Sequence, residues 1–350
     1  MLNIGKTPKF FAAANSYGGF VSYFDRIFAS ESFTRTYVLK GGPGTGKSSF
    51  MKRLARVLGE RGAYVELIYC SSDPNSLDGV IFETGDRRVA IIDGTAPHER
   101  DAIIPGAIDS IINLGDNWNE RWLTASRDKI TPLCHEKSTA YRTAYYYLSL
   151  AGQCHEKIMS VKRSEFSVKK FKNKLKSLAE YIPDCSDSLQ TTRLISSVGR
   201  SGVTRLDTLD TPHGKHFTVT GSEESRLIFM TELCNALRGI RGIVSPSPLS
   251  PKLYEGVYLT ECDVSFTFSG EGEIIDADEL FSAPPELDRE RVRVAREMWR
   301  VSTDEAVRWF SIASDLHFRL EEIYTVAMDF EKNDRMLANT QEKILEILGL

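Results

Sequence analysis

The chain reads as an α/β protein with two lobes of parallel sheet in tandem, each carrying an α-helical appendage. Three observations predict this. A short β-type run, Thr36-Tyr37-Val38-Leu39, leads into Gly41-Gly42-Pro43-Gly44-Thr45-Gly46-Lys47-Ser48, and a helix-type run from Ser49 to Leu58 follows. A second stretch, 216–237, repeats the strand and the apolar helix face. Two long stretches, 117–182 and 286–350, show helical periodicity with few strand signals.

The glycine-rich octapeptide fits G-x-x-x-x-G-K-[ST], a P-loop, and each position has a physical task. The backbone of Gly42, Pro43, Gly44, Thr45 and Gly46 turns its N–H groups towards a polyphosphate, with Ser48 and Ser49 opening the helix behind it. Lys47 reaches the outer phosphates, and the Ser48 hydroxyl completes a Mg²⁺ shell. Apolar residues at 50, 51, 54, 57 and 58 give the following helix one buried face. Strand, glycine loop and helix N-terminus together aim a dipole at an anion.

A second carboxylate on a neighbouring strand is expected to hold the metal. Val89-Ala90-Ile91-Ile92-Asp93 supplies it as a buried, parallel-type strand with Asp93 at its carboxyl end, a Walker B pattern. Gly94 follows, so no water-activating acid sits directly after Asp93. Another strand, Tyr64–Tyr69, ends in a loop from Cys70 to Gly79. There Asp73 either polarises a water or accepts a substrate proton, or it caps the Ser-Ser-Asp-Pro turn. His98 and Glu99 are further candidates for positioning water, although the segment 95–101 reads more simply as an exposed loop.

GGPGTGKS, CSSDPNSLDG, AIIDGTAPH and PGAIDSIINLGD, in that order, resemble a bacterial family of tandem P-loop ATP-binding proteins found mainly in Firmicutes. The resemblance is strong over about 5–120 and weak in the second half. It implies a P-loop NTPase fold and ATP binding, and it implies no established reaction.

The second half reads as a worn copy. At a constant offset of 179, Tyr37-Val38 falls on His216-Phe217, Gly42 on Gly221, Phe50-Met51 on Phe229-Met230 and Leu54 on Leu233. Asp78-Gly79-Val80 matches Glu255-Gly256-Val257, and the lead-in Asn15-Ser16-Tyr17-Gly18 echoes Thr211-Pro212-His213-Gly214. The chemistry is gone: Lys47 becomes Arg226, Ser48 becomes Leu227, Asp93 becomes Ser269, and Glu223 and Glu224 bring carboxylates that oppose a polyphosphate. The expected organisation is an active lobe over 1–195 with a helical insertion at 117–182, and a degenerate lobe over 200–350 ending in helices at 286–350. The polar, strand-poor stretch from Pro183 to Asp210 holds the linker, near 195–205.

Bulk properties exclude several classes. A net charge of −4 over 350 residues is not a polycation built for nucleic acid. No apolar run approaches a membrane span, and Phe10–Ala14 is too short for a signal-peptide core. Six cysteines without C-x-x-C read as reduced thiols, so the expected location is cytoplasmic. Cys134-His135-Glu136-Lys137 recurs as Cys154-His155-Glu156-Lys157 on what reads as one helix. The copies then lie roughly 30 Å apart and share no metal. The segment 157–176 carries seven Lys and one Arg against one Glu. It is either a solvated or docked face, or an arm for nucleic acid, anionic lipid or an acidic partner. Tyr141, Tyr145, Tyr146 and Leu148 suggest a packed stripe.

The expected function is Mg-dependent ATP hydrolysis coupled to movement of lobes or helical arms. Lys47 and Asp93 would act in it, with an arginine (Arg193, Arg200, Arg205 or Arg226) reaching in from the second half. The alternatives are a small-molecule kinase with Asp73 as base, and a nucleotide sensor without turnover. No N-K-x-D guanine signature is present, which favours ATP.

Overall fold

A computed structural model describes residues 7–182, 190–210, 214–283 and 285–350. Two six-stranded sheets and a set of long helices make a mixed α/β architecture. In the first half the strands are β1 (Lys9–Phe11), β2 (Ala13–Ser16), β3 (Gly19–Ser22), β4 (Arg35–Lys40), β5 (Tyr64–Tyr69), β6 (Leu77–Thr84), β7 (Arg87–Asp93) and β8 (Asp109–Asn113). Its helices are α1 (Phe24–Ile27), α2 (Lys47–Glu60), α3 (Glu120–Ala125), α4 (Arg127–Ser164) and α5 (Val168–Ser177). The second half has β9 (Gln190–Thr192), β10 (Ser196–Gly199), β11 (Gly202–Arg205), β12 (Lys215–Thr220), β13 (Gly242–Pro246), β14 (Tyr254–Leu259), β15 (Val264–Thr267) and β16 (Glu273–Asp276). Helices α6 (Glu223–Ala236), α7 (Glu286–Ala327) and α8 (Phe330–Leu348) complete it.

The first sheet runs β1-β5-β6-β7-β4-β8, and the second runs β9-β13-β14-β15-β12-β16. Position by position the strand senses agree: parallel, antiparallel, antiparallel, parallel, parallel. Each sheet even slips register at the same place, between Ile68 and Tyr69 and between Ser245 and Pro246. A β-hairpin accompanies each, β2–β3 and β10–β11.

Neither sheet is all-parallel, contrary to expectation. The reason is β6. Leu77–Gly79, read as loop, already belongs to it. Only Gly85-Asp86 joins β6 to β7, and a two-residue connection can only return antiparallel. Gly85 takes a positive φ of 62° to make that turn. The stretch 190–205, read as strand-poor, contains three short strands, and the first strand of the hairpin, β10, is buried while β11 is not. Pro183, Cys185 and the echo Thr211-Pro212-His213 lie outside the described residues.

The helical segments exchange partners. Helix α4, 38 residues and so roughly 57 Å long, runs antiparallel to the 42-residue α7. Leu133 and Ala140 meet Leu320, Leu316 and Ala313, while Ala144 and Leu148 meet Phe310 and Ala306. At one end Asn119 N–H donates to the Ala327 carbonyl (2.8 Å) and Asp329 N–H to that of Asn117 (2.9 Å). At the other, Ser282 N–H donates to Glu165 (3.0 Å) and Ser167 N–H to Leu280 (2.9 Å). Thus α5 docks on the second sheet through Phe171, and α8 docks on the first beside α2. Leu337, Ile344 and Leu348 hold α8 there. Each such side chain contributes about 1.5–3 kcal/mol on full burial, against about 0.5–1.5 for a typical hydrogen bond. Apolar packing therefore dominates the seat of α8.

The stripe on α4 differs in one member from its expected form. Tyr141 and Tyr145 pack edge-on against Phe310, and Tyr145 Oη donates to Asn15 Oδ1 at 2.6 Å, but Tyr146 is exposed. The two Cys-His-Glu-Lys copies share α4, and no cluster of three or more His, Cys, Asp or Glu placed to hold a metal occurs among the described residues. No helix among them is long and apolar enough to cross a membrane. The basic segment 157–176 lies against the second sheet's core. There Lys162 pairs with Glu165 at 3.3 Å, and Lys170 Nζ donates to the Glu279 carbonyl at 2.8 Å.

Candidate functional site

β4 is an interior strand, between β7 and the edge strand β8, and its chain leaves at Lys40 into a six-residue loop before α2 begins at Lys47. Gly41, Gly44 and Gly46 take φ of 141°, 69° and 87°, which side chains rarely tolerate. A Cβ at Gly41 would stand 2.7 Å from Thr45 Oγ1, so close approach also demands glycine there. Thr45 is buried and its hydroxyl donates to the Gly42 carbonyl at 2.9 Å, cinching the loop. The N-cap of α2 is Gly46, without a side-chain acceptor, and its first turn has no acid. The leading N–H groups of α2 thus keep their capacity for an external anion.

Lys47 is folded back over the loop, donating to the carbonyls of Gly41 (2.9 Å) and Gly42 (3.0 Å). Its Nζ lies 3.7 Å from Asp93 Oδ2. That meeting follows from register, since β7 is parallel to β4 with Asp93 opposite Leu39. Asp93 Oδ1 accepts from the N–H (2.9 Å) and hydroxyl (2.6 Å) of Thr95, which fixes the carboxylate's rotamer. Ser48 Oγ accepts from Leu77 N–H at 3.0 Å, and Ser49 is exposed.

Asp73 sits in a turn and accepts from Asn75 N–H at 3.1 Å, the capping role. The segment after Asp93 is not the plain exposed loop expected. Glu99 is exposed, but His98 is buried and stacks on Phe24 at 4.2 Å. His98 Nε2 lies 3.3 Å from Asp78 Oδ2, and Nδ1 lies 3.0 Å from the Asp93 carbonyl oxygen. Burial pulls the His98 pKa down, yet Asp78 and Asp93 outweigh it and leave the pKa raised. His98 therefore braces Asp93 from behind. Asp78, which carried no chemical reading in the sequence, is its buried counter-charge.

Sequence reasoning missed a group that reaches the loop from the end of the chain. Thr325 Oγ1 lies 3.4 Å from the Gly44 carbonyl oxygen, and Asn333 Nδ2 donates to the Thr45 carbonyl at 2.9 Å. Tyr324 and Trp118 form a ring pair at 5.8 Å beside Gly42, and Phe330 stands beside Gly46. No local signal could have found Tyr324, Thr325, Phe330 or Asn333, more than 270 positions from the loop. The four arginines considered are engaged elsewhere. Arg193 pairs with Glu66, Arg200 with Asp315, Arg205 with Asp210, and Arg226 lies over Phe268.

The corresponding end of the second sheet differs from the ungapped match. Only Gly221 and Ser222 separate β12 from α6, so the loop is four residues shorter than Gly41–Gly46. Ser225, Arg226 and Leu227 lie within α6 and not in a loop. Ladder register also moves the partner of Asp93. Val80 faces Ile91 and Val257 faces Phe266, so Asp93 corresponds to Phe268, not Ser269. Asp278 occupies the N-terminal end of α6, accepting from Ser222 N–H (2.9 Å) and Ser222 Oγ (2.7 Å).

No family model, curated protein or solved structure matches the chain in any of the three comparisons.

Proposed function

We propose that the chain is a Mg·ATP-binding P-loop NTPase whose second half is a degenerate copy. The resemblance to the bacterial tandem P-loop family points the same way. One observation carries the reading: a loop with three glycines at positive φ before an uncapped helix, whose first residue Lys47 is held 3.7 Å from Asp93 at the end of the neighbouring strand. The residues fit the group. A loop that a Cβ would obstruct, a mobile-headed cation and an acceptor-only carboxylate make a donor set for Mg·polyphosphate. The backbone from Gly42 to Ser49 would hold the phosphates, and Ser48 and Asp93 would hold Mg²⁺. The bound metal supplies charge neutralisation on the phosphates. Lys47 would exchange two loop carbonyls for phosphate oxygens, gaining charge-assisted bonds for neutral ones. Thr95 and His98 keep Asp93 oriented through that exchange.

Calorimetric titration of Mg·ATP into the wild type and Lys47→Ala tests the site, with loss of binding expected in the variant. Equal affinity in both would remove the assignment. Release of phosphate in the absence of any added substrate would mark a hydrolase. Binding without turnover would mark a sensor, a reading favoured by Gly94 standing where many ATPases place an acid.

A further inference from the structure

The loop is covered by the turn of α7 that precedes α8. The Glu321 carboxylate faces that loop, where His317 first, and then the Gly44 N–H and Lys47, hold its pKa below the usual carboxylate value. His317, one turn earlier, holds that carboxylate from the other side at 3.5 Å. The helix backbone is equally close, since a Cβ at Gly44 would stand 2.6 Å from the Glu321 carbonyl oxygen and 2.8 Å from Thr325 Oγ1. The turn of α7 is therefore packed on Gly44 with an anion of the chain itself facing the loop.

We propose that Glu321 is a built-in competitor for the nucleotide's phosphates, so that binding of Mg·ATP expels it from Gly44 and loosens the α7–α8 elbow. The inference rests on the nucleotide reading above and adds how binding is regulated. One N–H cannot serve two anions, and in a partly desolvated loop a carboxylate and a phosphate repel strongly. The Glu321 side chain has no room to retreat into the loop, because α7 backbone already fills that side. It must swing outward or the turn must lift. Helix α8 stays, anchored by Leu337, Ile344 and Leu348, so the movement falls on Glu321–Asp329. The elbow's polar ties, Thr325 with Gly44 and Asn333 with Thr45, are the contacts at risk. Because α7 also packs along α4 and reaches α6 through Arg296 and Glu224, its C-terminal turn is a mechanical link between nucleotide and helical arms.

Mg·ATP titrations of the full-length wild type, Glu321→Gln and Glu321→Ala test this, with hydrogen exchange on the same proteins. Removing the competing charge should tighten binding roughly 10-fold or more in both variants. Without nucleotide, the 41–48 amides should exchange faster in Glu321→Ala than in wild type. With saturating Mg·ATP, wild type should protect 41–48 and deprotect 320–329. If wild type binds and Glu321→Gln binds no tighter, the competitor idea fails while the nucleotide site stands. A variant with unchanged affinity but slowed turnover would also overturn it, in favour of a catalytic carboxylate. If no protein binds nucleotide, the functional reading itself falls and takes this inference with it.

Discussion

Helices α2 and α6 each follow the strand next to the edge of a six-stranded sheet with the same strand order, yet their N-termini have opposite chemistry. At α2 there are six loop residues, three of them glycines at positive φ, and no acid in the first turn. At α6 there are two loop residues, Glu223 and Glu224 in the first turn, and the Asp278 carboxylate on the cap. Asp278 stands two residues after Asp276, which caps a short 3₁₀ turn. Its counterpart two residues after the capping Asn113 is Gly115, which offers no side chain at all. The first frame puts no acid or side-chain cap on its own helix start, and the second satisfies its dipole with acids beside and within the helix. A sheet frame is thus neutral about function, and a few residues at one strand end decide it.

The comparison can be broken most sharply at the first helix. Lys47→Ala should lower Mg·ATP affinity about 100-fold or more, since it removes charge-assisted bonds to phosphate. Asp93→Asn should keep much of the nucleotide contact but weaken magnesium-dependent turnover. Calorimetry and a phosphate-release assay read the two.

A second contrast concerns the matching buried acids Asp78 and Glu255. Asp78 has His98 as partner, whereas Glu255 sits between Ser196 (2.6 Å) and Ser245 (3.4 Å). Burial pushes the Glu255 pKa from 4.5 to about 7, against the two serine bonds and Arg205. With the folded value raised, the folded state holds a proton that the unfolded chain loses. Stability is fully present below about pH 4.5 and declines as pH rises through 7. Glu255→Gln has no such decline. Relative to wild type it should gain on the order of 2 kcal/mol between pH 5 and pH 8. Parallel denaturation curves at the two pH values would show the carboxyl to be ionised equally in both states.

The smallest expected effect sharpens the comparison. Asp278→Ala removes the acceptor on Ser222 and should destabilise by about 1 kcal/mol. Nucleotide stoichiometry should remain one per chain, because the two-residue loop still cannot wrap a phosphate. A stoichiometry of two would mean that charge, and not loop length, keeps the second helix closed.

Much of the loop was legible because its requirements are local. Positive φ at Gly41, Gly44 and Gly46, and a lysine and a serine at the helix start, are properties of eight adjacent residues. Asp93 was legible because an apolar strand run ends in an acid, although its pairing with Lys47 depended on register. The worn copy was visible in its apolar pattern, but the ungapped match hid a four-residue deletion. A helix that starts one turn early keeps nearly the same face buried, so the pattern survives the gap. The antiparallel β6 was missed through Gly85-Asp86, a turn signal overlooked in favour of a buried parallel run.

By itself the sequence determined the α/β class, the glycine-rich loop between a strand and a helix, and the acid that faces it. Each depends on backbone preference or side-chain alternation over a few residues. Only the tertiary structure decided what sits on that loop. Glu321, Tyr324, Thr325 and Asn333 reach it because α4 and α7 lie antiparallel and each half lends its terminal helix to the other's sheet. Amphipathic periodicity says that a helix face must be buried. It does not say against which of two similar sheets, and that choice follows from the helix–helix packing and the closing contacts at Asn117, Asn119, Glu165 and Ser167.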